Sequence, residues 1–369
     1  MKIVNLSHRF WPCIGGVETH VMQLCKELNA KGIWAKVVCL NKCPNSSKRL
    51  LGKERHDGIK IERVGFLDLG VYRIAPGAIG KVKGFDVVHV HGIGFFSDFF
   101  ALFKLFHRKR LVLSTHGGIF HTKRHLLLKK IYFNIWCRLT LMAFDRVIAV
   151  SAQDFETFKK IVPKKKLVLI ENPIEVKKQQ GTKPKGNGFL FVGRLSKNKG
   201  LNDLIETFAI VKKEIPKVKL RIVGGDFDLS RQELEKKVLK LGLEKNIEIL
   251  GHVSGKELER NYTASGISVS ASKYEGFGIS SVEAMSKGLI PILNDIRPFR
   301  AFVKDGENGF VVDFENWKKA AEKIVTVSRM SNAEKGRIRK NARVFAQGFS
   351  WKKNIAKFEK VYNAVLVQS

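Results

Sequence analysis

Two glutamates, Glu275 and Glu283, flank a glycine-rich stretch in the second half of the chain. Between them, Gly276 and Gly278 let the backbone approach a ligand closely, and a helical pattern begins near Ile279. The first turn of a helix presents unpaired N–H groups and the positive end of its dipole, which together favour phosphate. The two carboxylates could accept hydrogen bonds from two sets of hydroxyl groups. The alternative is that the glycines only shape a tight turn and that Glu283 lies at the surface.

Two cations follow an earlier strand signal in the same half. The stretch Phe191-Val-Gly-Arg-Leu-Ser-Lys-Asn-Lys-Gly carries Arg194 and Lys199 just after the strand ends. An arginine is suited to a forked contact with a diphosphate, and a lysine supplies a point charge. The alternative is that both are ordinary surface cations of a Lys-rich protein, which their position after a strand disfavours.

In the first half of the chain, glycines and histidines again follow strand signals. Gly15 and Gly16 stand where the first helix begins, His91 ends a strand, and His116 lies in Ser114-Thr-His-Gly-Gly after another. Further polar residues at strand ends are Ser151 and Asn172. A Gly-Gly pair can also be a simple turn, and a lone histidine is more often structural. The first loop lacks the G-x-G-x-x-G fingerprint, which argues against a dinucleotide-dependent dehydrogenase.

Strands and helices must position these residues, because short β-branched runs alternate with amphipathic stretches along the chain. The alternation predicts an α/β protein with parallel sheets covered on both faces. A polar, glycine-rich stretch at 175–188 has no hydrophobic periodicity and is typical of a linker. We therefore expect an N-terminal domain over 1–174, a second domain over 189–346 and a terminal helical segment over 347–369. Two doubly wound domains would bind ligand in a cleft at the C-terminal edges of their strands.

The stretch from Glu275 to Glu283 closely resembles the E-x7-E signature of retaining glycosyltransferase family 4, and the match extends through Ala284-Met-Ser-Lys-Gly to Pro291. The other motifs occur in the order of that family, and the resemblance covers essentially the full length, most strongly in the second half. It implies the GT-B fold. In that fold two doubly wound Rossmann-like domains face each other across a cleft, and the C-terminal helix crosses back to the N-terminal domain.

The resemblance also implies roles for individual residues. The expected donor-binding residues are Gly15, Gly16, Arg194, Lys199, Glu275, Gly276, Phe277, Gly278, Ile279 and Glu283. The expected catalytic residues are His116 and Glu275, and the acceptor side would include His91, Ser151 and Asn172. In the family, the carboxylate that matches Glu275 faces the hydroxyls of the donor sugar, and the one that matches Glu283 faces the nucleotide ribose.

The resemblance also bears on Asp226-Phe-Asp228, which spells the D-x-D pattern that holds a divalent ion on the diphosphate in other glycosyltransferases. Here it follows Arg221-Ile-Val-Gly-Gly, where family 4 has a glycine-rich loop near the nucleotide base. We interpret it as that loop and predict that no metal is required.

The implied reaction transfers a hexose from a nucleoside diphosphate sugar to a hydroxyl acceptor, with retention of the anomeric configuration. The nucleotide sugar is the donor substrate, and no cofactor is expected. The acceptor would be a glycan or a lipid-linked molecule at the membrane surface. The alternatives are another GT-B enzyme, such as a sugar-nucleotide epimerase or a phosphorylase, and a non-enzymatic basic protein on membrane or nucleic acid.

A net charge of +33 over 369 residues, with a pI of about 10.0, favours anionic partners. Nine Lys or Arg and no Asp or Glu occur between Phe99 and Phe144. The helices predicted at Phe96–His107 and His121–Ala143 combine these cations with large apolar groups, a composition that favours an anionic membrane surface. The alternative is that the apolar groups pack on the sheet. No nucleic-acid motif accompanies the charge, so no nucleic acid is expected.

The five cysteines are irregularly spaced and resemble neither a zinc site nor a disulfide framework, so we expect a reducing compartment. The N-terminus resembles a buried strand and not a signal peptide. No window of about 20 residues is free of charge, so no transmembrane helix is expected. These features predict a cytoplasmic protein, peripheral on the inner face of the membrane.

Overall fold

The computed structural model describes residues 1–13, 15–43, 48–70, 72–117, 126–176 and 186–367. The chain divides into two compact units. One comprises Met1–Pro173 together with Trp351–Ser369, and the other comprises Ile174–Ser350. Most of the predicted linker, residues 177–185, lies outside the described residues.

A largely parallel sheet forms the centre of the first unit. The strands of this unit are β1 (Lys2–Ser7), β2 (Trp34–Leu40), β3 (Lys53–His56), β4 (Ile59–Val64), β5 (Leu67–Asp68), β6 (Arg73–Ile74), β7 (Val87–His91), β8 (Arg110–Ser114), β9 (Arg146–Ala149) and β10 (Leu167–Leu169). Eight of them lie in the order β10-β9-β8-β7-β1-β2-β4-β3, and β5 pairs only with β6. The strand β3 is antiparallel to β4. The central strands are buried along almost their whole length, as expected for a parallel sheet covered on both faces.

The helices of the first unit follow these strands in the chain. They are α1 (Gly16–Ala30), α2 (Phe95–Leu102), α3 (Lys104–His107), α4 (Leu126–Ile131), α5 (Arg138–Met142) and α6 (Ala152–Phe158), with a 3₁₀ helix at Pro76–Val82 and a π-helical turn at Tyr132–Cys137. The single helix predicted over Phe96–His107 is in fact two helices, and left-handed Arg108 ends the second (φ 50°). Of the helix predicted at His121–Ala143, the first five residues lie outside the described part.

The second unit contains an all-parallel six-stranded sheet. Its strands are β11 (Gly188–Val192), β12 (Leu220–Val223), β13 (Ile247–Gly251), β14 (Ser265–Ser270), β15 (Ile290–Asn294) and β16 (Phe310–Val312). They lie in the order β13-β12-β11-β14-β15-β16, which is the doubly wound order of a Rossmann fold. Its helices are α7 (Leu201–Glu214), α8 (Arg231–Lys240), α9 (Gly255–Thr263), α10 (Ile279–Ser286), α11 (Arg297–Arg300), α12 (Trp317–Arg329) and α13 (Asn332–Gln347), with a 3₁₀ turn at Lys197–Lys199.

The last helix, α14 (Trp351–Leu366), belongs to the first unit. It packs against α1 and contributes Ile355, Phe358 and Tyr362 to the core that also contains residues of β1 and β2. Phe358 and Tyr362 are fully buried. The N-terminal half of the chain therefore shares its hydrophobic core with the C-terminal residues.

Several local elements were not predicted from the sequence, and two of them carry a recognisable local signal. The hairpin of β3 and β4 turns at Asp57-Gly58, where both residues have positive φ, as two-residue hairpin turns require. The helix α9 begins with a capping box in which Ser254 and Glu257 bond to each other's backbone N–H. Both signals, Asp-Gly and Ser-x-x-Glu, are present in the sequence.

The cysteine expectation needs a correction, because Cys13 and Cys43 form a disulfide with their Cα atoms 5.7 Å apart. Cys13 follows β1 and Cys43 follows β2, and these parallel neighbours end at the same edge of the sheet. Spacing along the chain does not reveal such a pair, whereas sheet order does. Within the described part of the chain, no helix combines the length and the apolar character needed to cross a bilayer.

Candidate functional site

In the second unit the strand order reverses between β11 and β14, and open α/β sheets bind ligands at such a point. The loops that leave these two strands touch each other. The Lys273 N–H donates to the Asn198 carbonyl at 2.8 Å. Gly200 is left-handed (φ 63°), and a Cβ there would overlap the Ala271 carbonyl oxygen. The loop after β11 is thereby held against the loop that carries Glu275.

Lys199 and Glu275 form an ion pair, with 2.6 Å between Nζ and Oε1. Their side chains are only 15 % and 14 % exposed, so solvent screens the pair much less than a surface pair. Two predicted donor-binding residues that are 76 positions apart therefore share one contact. The pair retains one carboxylate oxygen and further ammonium N–H groups with which it could bind a polar ligand.

The loop after β14 runs through Gly276 and ends at Gly278, the residue before α10. Gly278 is left-handed (φ 89°), and a Cβ there would lie 2.6 Å from Cε1 of Phe299. Glycine is therefore required by conformation and by space. Phe277 is buried against Phe302, so its side chain anchors the loop and only its backbone could meet a ligand. The first turn of α10, from Ile279, contains no acidic residue that would compete with an anion.

Arg194 is exposed, and its guanidinium carbon lies 4.4 Å from the ring centre of Phe227. Phe227 is itself 59 % exposed, so the two groups stack at the surface. Gly224 lies against the Gly193 carbonyl, which leaves no room for a side chain and brings the two loops together. Sequence reasoning singled out Arg194 but not Phe227, although Phe227 is the middle residue of Asp226-Phe-Asp228.

Both aspartates of that pattern are engaged with backbone. Asp226 accepts a hydrogen bond from the Arg231 N–H at 3.1 Å, and Asp228 accepts one from the Lys197 N–H at 2.8 Å. These bonds fix the loop after β12 to the start of α8 and to the loop after β11. Both carboxylates therefore stabilise the conformation of this loop.

Glu283 lies one turn into α10 and is partly buried. Burial raises the pKa of its carboxyl to about 7, Lys287 opposes the shift, and Glu175 and Glu259 add to it. Lys287 is itself bound to both oxygens of Glu259, at 2.7 and 2.8 Å. The Tyr262 hydroxyl is buried without a partner among the described residues. A ligand hydroxyl at Glu283 would favour the ionised carboxylate.

In the first unit the strand order reverses between β1 and β7, and a cluster of histidines lies at that edge. His91 ends β7, His116 follows β8, and His20 comes from α1. The His91 Nδ1 and the His116 Nε2 are 3.0 Å apart, and the His91 Nε2 is 3.0 Å from Asn5 Oδ1. His20 packs edge-on against His116 with 4.9 Å between the ring centres.

A second set of buried side-chain hydrogen bonds lies beside this cluster. His89 contacts the Tyr362 hydroxyl through Nδ1 and the Ser114 hydroxyl through Nε2, both at 2.8 Å. The rings of His89 and His91 are 4.1 Å apart. Burial lowers the pKa of both imidazoles far below the ordinary value, and the neighbouring histidines lower it further. His116 is affected in the same way by burial, which lowers its pKa to about 4.

The loop of His116 is held by a residue that sequence reasoning missed. Asp154 accepts hydrogen bonds from the Thr115 hydroxyl and, at 2.9 Å, from the Gly117 N–H. His116 between them has a positive φ of 48°, unusual for a residue other than glycine. Ser151, predicted on the acceptor side, caps α6 by accepting from the Asp154 N–H at 3.1 Å. Ser151 thus contacts Asp154, which in turn holds the loop of His116.

The remaining predicted residues lie near the same sheet edge. Gly16 is the first residue of α1, and Gly15 before it is extended. Neither residue has a positive φ, so a left-handed turn is not the reason for glycine at these positions. A Cβ at Gly16 would meet nothing within 4 Å. Asn172 is buried, its N–H donates to the Val150 carbonyl at 3.0 Å, and its Oδ1 has no partner among the described residues.

Among the described residues, the side chains that could share a metal ion are His20, His91 and His116, whose ligand atoms all lie within 4.8 Å of one another. Three neutral imidazoles would suit zinc. The His91 Nδ1 and the His116 Nε2 already face each other at hydrogen-bonding distance. That no metal is required stays a prediction.

Comparisons with known proteins agree with this arrangement of motifs. Residues 173–345 match the model of the glycosyl transferases group 1, and residues 14–178 match that of glycosyltransferase family 4. The chain is 34 % identical to the GDP-mannose:cellobiosyl-diphosphopolyprenol alpha-mannosyltransferase of Xanthomonas campestris, over 99 % of this chain and 97 % of the relative. It is 28 % identical to the protein of the same name from Komagataeibacter xylinus, over 99 % and 94 %.

Solved structures share the fold over the whole chain. Sucrose-phosphate synthase from Thermosynechococcus elongatus has a TM-score of 0.79 at 20 % identity and covers 100 % of both chains. HepE from Anabaena, solved with UDP and glucose, has a TM-score of 0.77 at 20 % identity and covers 99 % of this chain and 100 % of its own. Since two family models span residues 14–178 and 173–345 and the relatives align from end to end, the chain belongs to the group 1 glycosyltransferases of family 4: it is a glycosyltransferase with the GT-B fold.

Proposed function

We propose that this glycosyltransferase moves a mannosyl residue from GDP-mannose to a hydroxyl of a polyprenol-linked oligosaccharide. The observation that carries the proposal is the 34 % identity, over nearly the full length of both chains, to a relative named for that donor and that class of acceptor. The sugar of GDP-mannose is α-linked, so an α-mannoside product would correspond to retention. The unit Ile174–Ser350 would bind the donor and the unit Met1–Pro173 the acceptor.

The donor diphosphate would meet three sources of positive charge in the second unit. They are Lys199, the guanidinium of Arg194 and the N-terminal end of α10 behind Gly278. Glu275, held by Lys199, would accept hydrogen bonds from hydroxyls of the sugar, and Glu283 would do so from the ribose. Because these groups are positioned before the reaction, they would stabilise charge that develops on the leaving diphosphate.

The reaction would pass through an oxocarbenium-like transition state. None of the predicted site residues is an evident nucleophile, so the acceptor hydroxyl would attack on the face from which the diphosphate leaves, and a phosphate oxygen would take its proton. His116 would contact the transferred sugar. We propose that no metal is needed, because Asp226 and Asp228 are committed to backbone N–H groups and Lys199 and Arg194 supply charge in place of an ion.

The test is a donor panel with a polyprenyl-diphosphate oligosaccharide as acceptor. We expect turnover with GDP-mannose, little with UDP-glucose or ADP-glucose, an α-linkage by NMR and unchanged rates in chelator. Glu275→Gln should abolish turnover. Equal turnover of Glu275→Gln and wild type, or no turnover of any nucleotide sugar, would refute the proposal. Loss of activity in chelator would refute its metal-free part.

We also propose that the first unit docks on an anionic membrane, where such an acceptor resides. Large apolar side chains are exposed along α3, α4, the π-helical turn and α5, namely Leu105, Phe106, Leu127, Leu128, Ile131, Ile135, Trp136, Leu139 and Met142. Leu105 and Phe106 are 83 % and 80 % exposed. Lys104 donates to the Ala143 carbonyl at 2.8 Å, which joins α3 to the end of α5. These exposed apolar side chains, together with the exposed Arg138 beside them, suit the inner leaflet.

Vesicle flotation tests this surface. We expect recovery with phosphatidylglycerol vesicles, weak recovery with phosphatidylcholine, and loss in the double variant Leu105→Ser, Phe106→Ser. Leu239→Ser is the matched control, because Leu239 is 64 % exposed on the second unit. Equal recovery with both lipids, or a loss in the control as large as in the double variant, would contradict the proposal.

A further inference from the structure

Three polar side chains from neighbouring strands and the loop after one of them form a row that runs from the core out to His116. Asn5 lies on β1, His91 ends β7, and His116 follows β8. Asn5 and His91 are 0 % and 2 % exposed, whereas His116 is only partly buried. The row therefore has an inner end in the core and an outer end that a ligand could reach.

The direction of each hydrogen bond along the row follows from its inner end. The Asn5 Nδ2 is 3.4 Å from the Lys36 carbonyl oxygen and 3.3 Å from Cys25 Sγ. A carbonyl oxygen only accepts, so the amide nitrogen of Asn5 faces Lys36 and the amide oxygen faces His91. That oxygen also only accepts, so the hydrogen between Asn5 and His91 lies on the His91 Nε2.

The hydrogen on the His91 Nε2 determines which atom donates in the next hydrogen bond, between His91 and His116. In a neutral imidazole with its hydrogen on Nε2, Nδ1 is an acceptor. The His91 Nδ1 faces the His116 Nε2 at 3.0 Å, so His116 must donate from Nε2. Its own Nδ1 is then an acceptor, and the structure shows no hydrogen bond to that atom from the described residues. The rings of His91 and His116 lie beside each other and beside His89 and His20, and such neighbouring imidazoles would not both carry charge, which supports the neutral assignment.

We propose that Asn5 and His91 are positioning residues that hold His116 in its Nε2–H tautomer, so that the His116 Nδ1 accepts a hydrogen bond from a hydroxyl of the transferred sugar. The inference rests on the proposed function for the identity of the ligand, but the tautomer itself does not. His89 takes no part in the row, because Tyr362 and Ser114 occupy both of its nitrogens. His116 would therefore recognise a sugar position that donates a hydrogen bond.

The tautomer can be read directly by nitrogen-15 NMR of the full-length protein labelled at histidine, with the His116 signals identified by their absence in His116→Gln. We expect the His116 Nε2 to be protonated and Nδ1 to be unprotonated in the wild type. The opposite tautomer would overturn the proposal whether or not the protein transfers mannose. Conversely, failure of the transferase assay would leave this result standing.

Two variants at His91 separate positioning from folding. His91→Phe removes the acceptor, so we expect mixed His116 tautomers and a fall in kcat of about tenfold, with the Kd for GDP unchanged. His91→Gln can accept from His116 through its carbonyl and donate to Asn5 through its amide, so it should restore both the tautomer and most of the kcat. Equal losses in Phe and Gln variants that give native-like spectra would overturn the proposal.

A zinc titration tests the alternative that His20, His91 and His116 bind a metal ion. If the wild type retained one equivalent of zinc after dialysis against chelator and His20→Phe did not, the His116 Nε2 would be a metal ligand and not a donor, and the proposal would fall. We expect no retained zinc and no change in the His116 signals on addition of the metal.

Discussion

At the scale of single residues, Lys199 and Glu275 depend on each other. Each carries a charge that is largely removed from water, and each is neutralised by the other at 2.6 Å. Removing one partner leaves the other charge poorly solvated, which costs more than the pair itself contributes to stability. A ligand that brings both phosphate and hydroxyls could engage both members at once.

We expect Lys199→Ala to weaken binding of GDP by about tenfold to hundredfold, because a charge-assisted hydrogen bond to phosphate contributes about 1.5–3 kcal/mol. Isothermal titration calorimetry measures the change. Lys197→Ala is the control, since Lys197 is exposed on the same turn and its hydrogen bond to Asp228 comes from the backbone N–H, which the substitution retains. A Kd for Lys199→Ala within about twofold of wild type would mean that this lysine serves only to neutralise Glu275.

Glu283 makes stability depend on pH. Its folded pKa is about 7 and its ordinary value is 4.5, so between these values the folded state retains a proton that the unfolded state loses. The free energy of unfolding should therefore fall as the pH rises through this window, by about 1–3 kcal/mol for this group. Glu283→Gln should lose less stability than wild type between about pH 5 and about pH 8.

Urea titrations at the two pH values measure this difference. The exposed Glu244→Gln serves as the control and should follow the wild type. Parallel curves for Glu283→Gln and wild type would show that Glu283 does not carry the raised pKa.

At the scale of elements, the connection from β14 to α10 is determined by what packs beneath it. The Phe277 side chain lies in a cluster with Phe299, Phe302 and residues of α13, and this cluster fixes where the helix begins. The loop can present its backbone to a ligand because its side chain points into the core. At Gly278, just before the helix, both the left-handed conformation and the nearby ring of Phe299 require glycine.

Gly278→Ala should destabilise the second unit by about 2 kcal/mol or more, since the left-handed conformation alone costs an alanine about 1–2 kcal/mol and Phe299 would also have to move. It should also weaken GDP binding. Gly255→Ala is the matched control: Gly255 opens α9, and a Cβ there would meet nothing within 4 Å. Chemical denaturation and calorimetry follow both properties, and an unfolding free energy unchanged in Gly278→Ala would contradict the argument.

At the scale of the whole molecule, the chain leaves its first unit at Pro173 and returns at Trp351. The returning helix α14 is part of the first hydrophobic core, so that unit is complete only when the last residues are present. The second unit, in contrast, is continuous in sequence. A destabilising substitution in α14 should therefore lower the stability of the N-terminal half of the chain.

Phe358→Ala, in α14, should cost about 3–5 kcal/mol, because a fully buried ring is removed. Hydrogen exchange read by mass spectrometry should show faster exchange in β1, β2 and β7 and little change in β11–β14. Phe208→Ala removes an equally buried ring from α7 and should give the reverse pattern. Faster exchange in both units for Phe358→Ala would show that they unfold together.

Much of the fold was predictable from the sequence, because strands buried on both faces of a parallel sheet are continuous apolar runs. The runs Lys2–Leu6 and Phe189–Val192, for example, lie within β1 and β11, and each of these strands extends one residue further. The edge strand β3 was missed, because Lys53-Glu-Arg-His carries no apolar signal that would mark a strand. Phe227 and Asp154 were missed for a related reason: each acts on a site residue that is distant in sequence.

The sequence by itself determined the order of the motifs and hence the family, since strand ends followed by glycines, cations and carboxylates can be recognised locally. It also placed Gly278 just before a helical pattern that begins near Ile279. Only the tertiary structure decided that Lys199 pairs with Glu275, that Cys13 reaches Cys43, and which tautomer the Asn5–His91–His116 row favours. These contacts depend on the order of strands in a sheet, and that order is set by how the chain crosses over and not by local pattern.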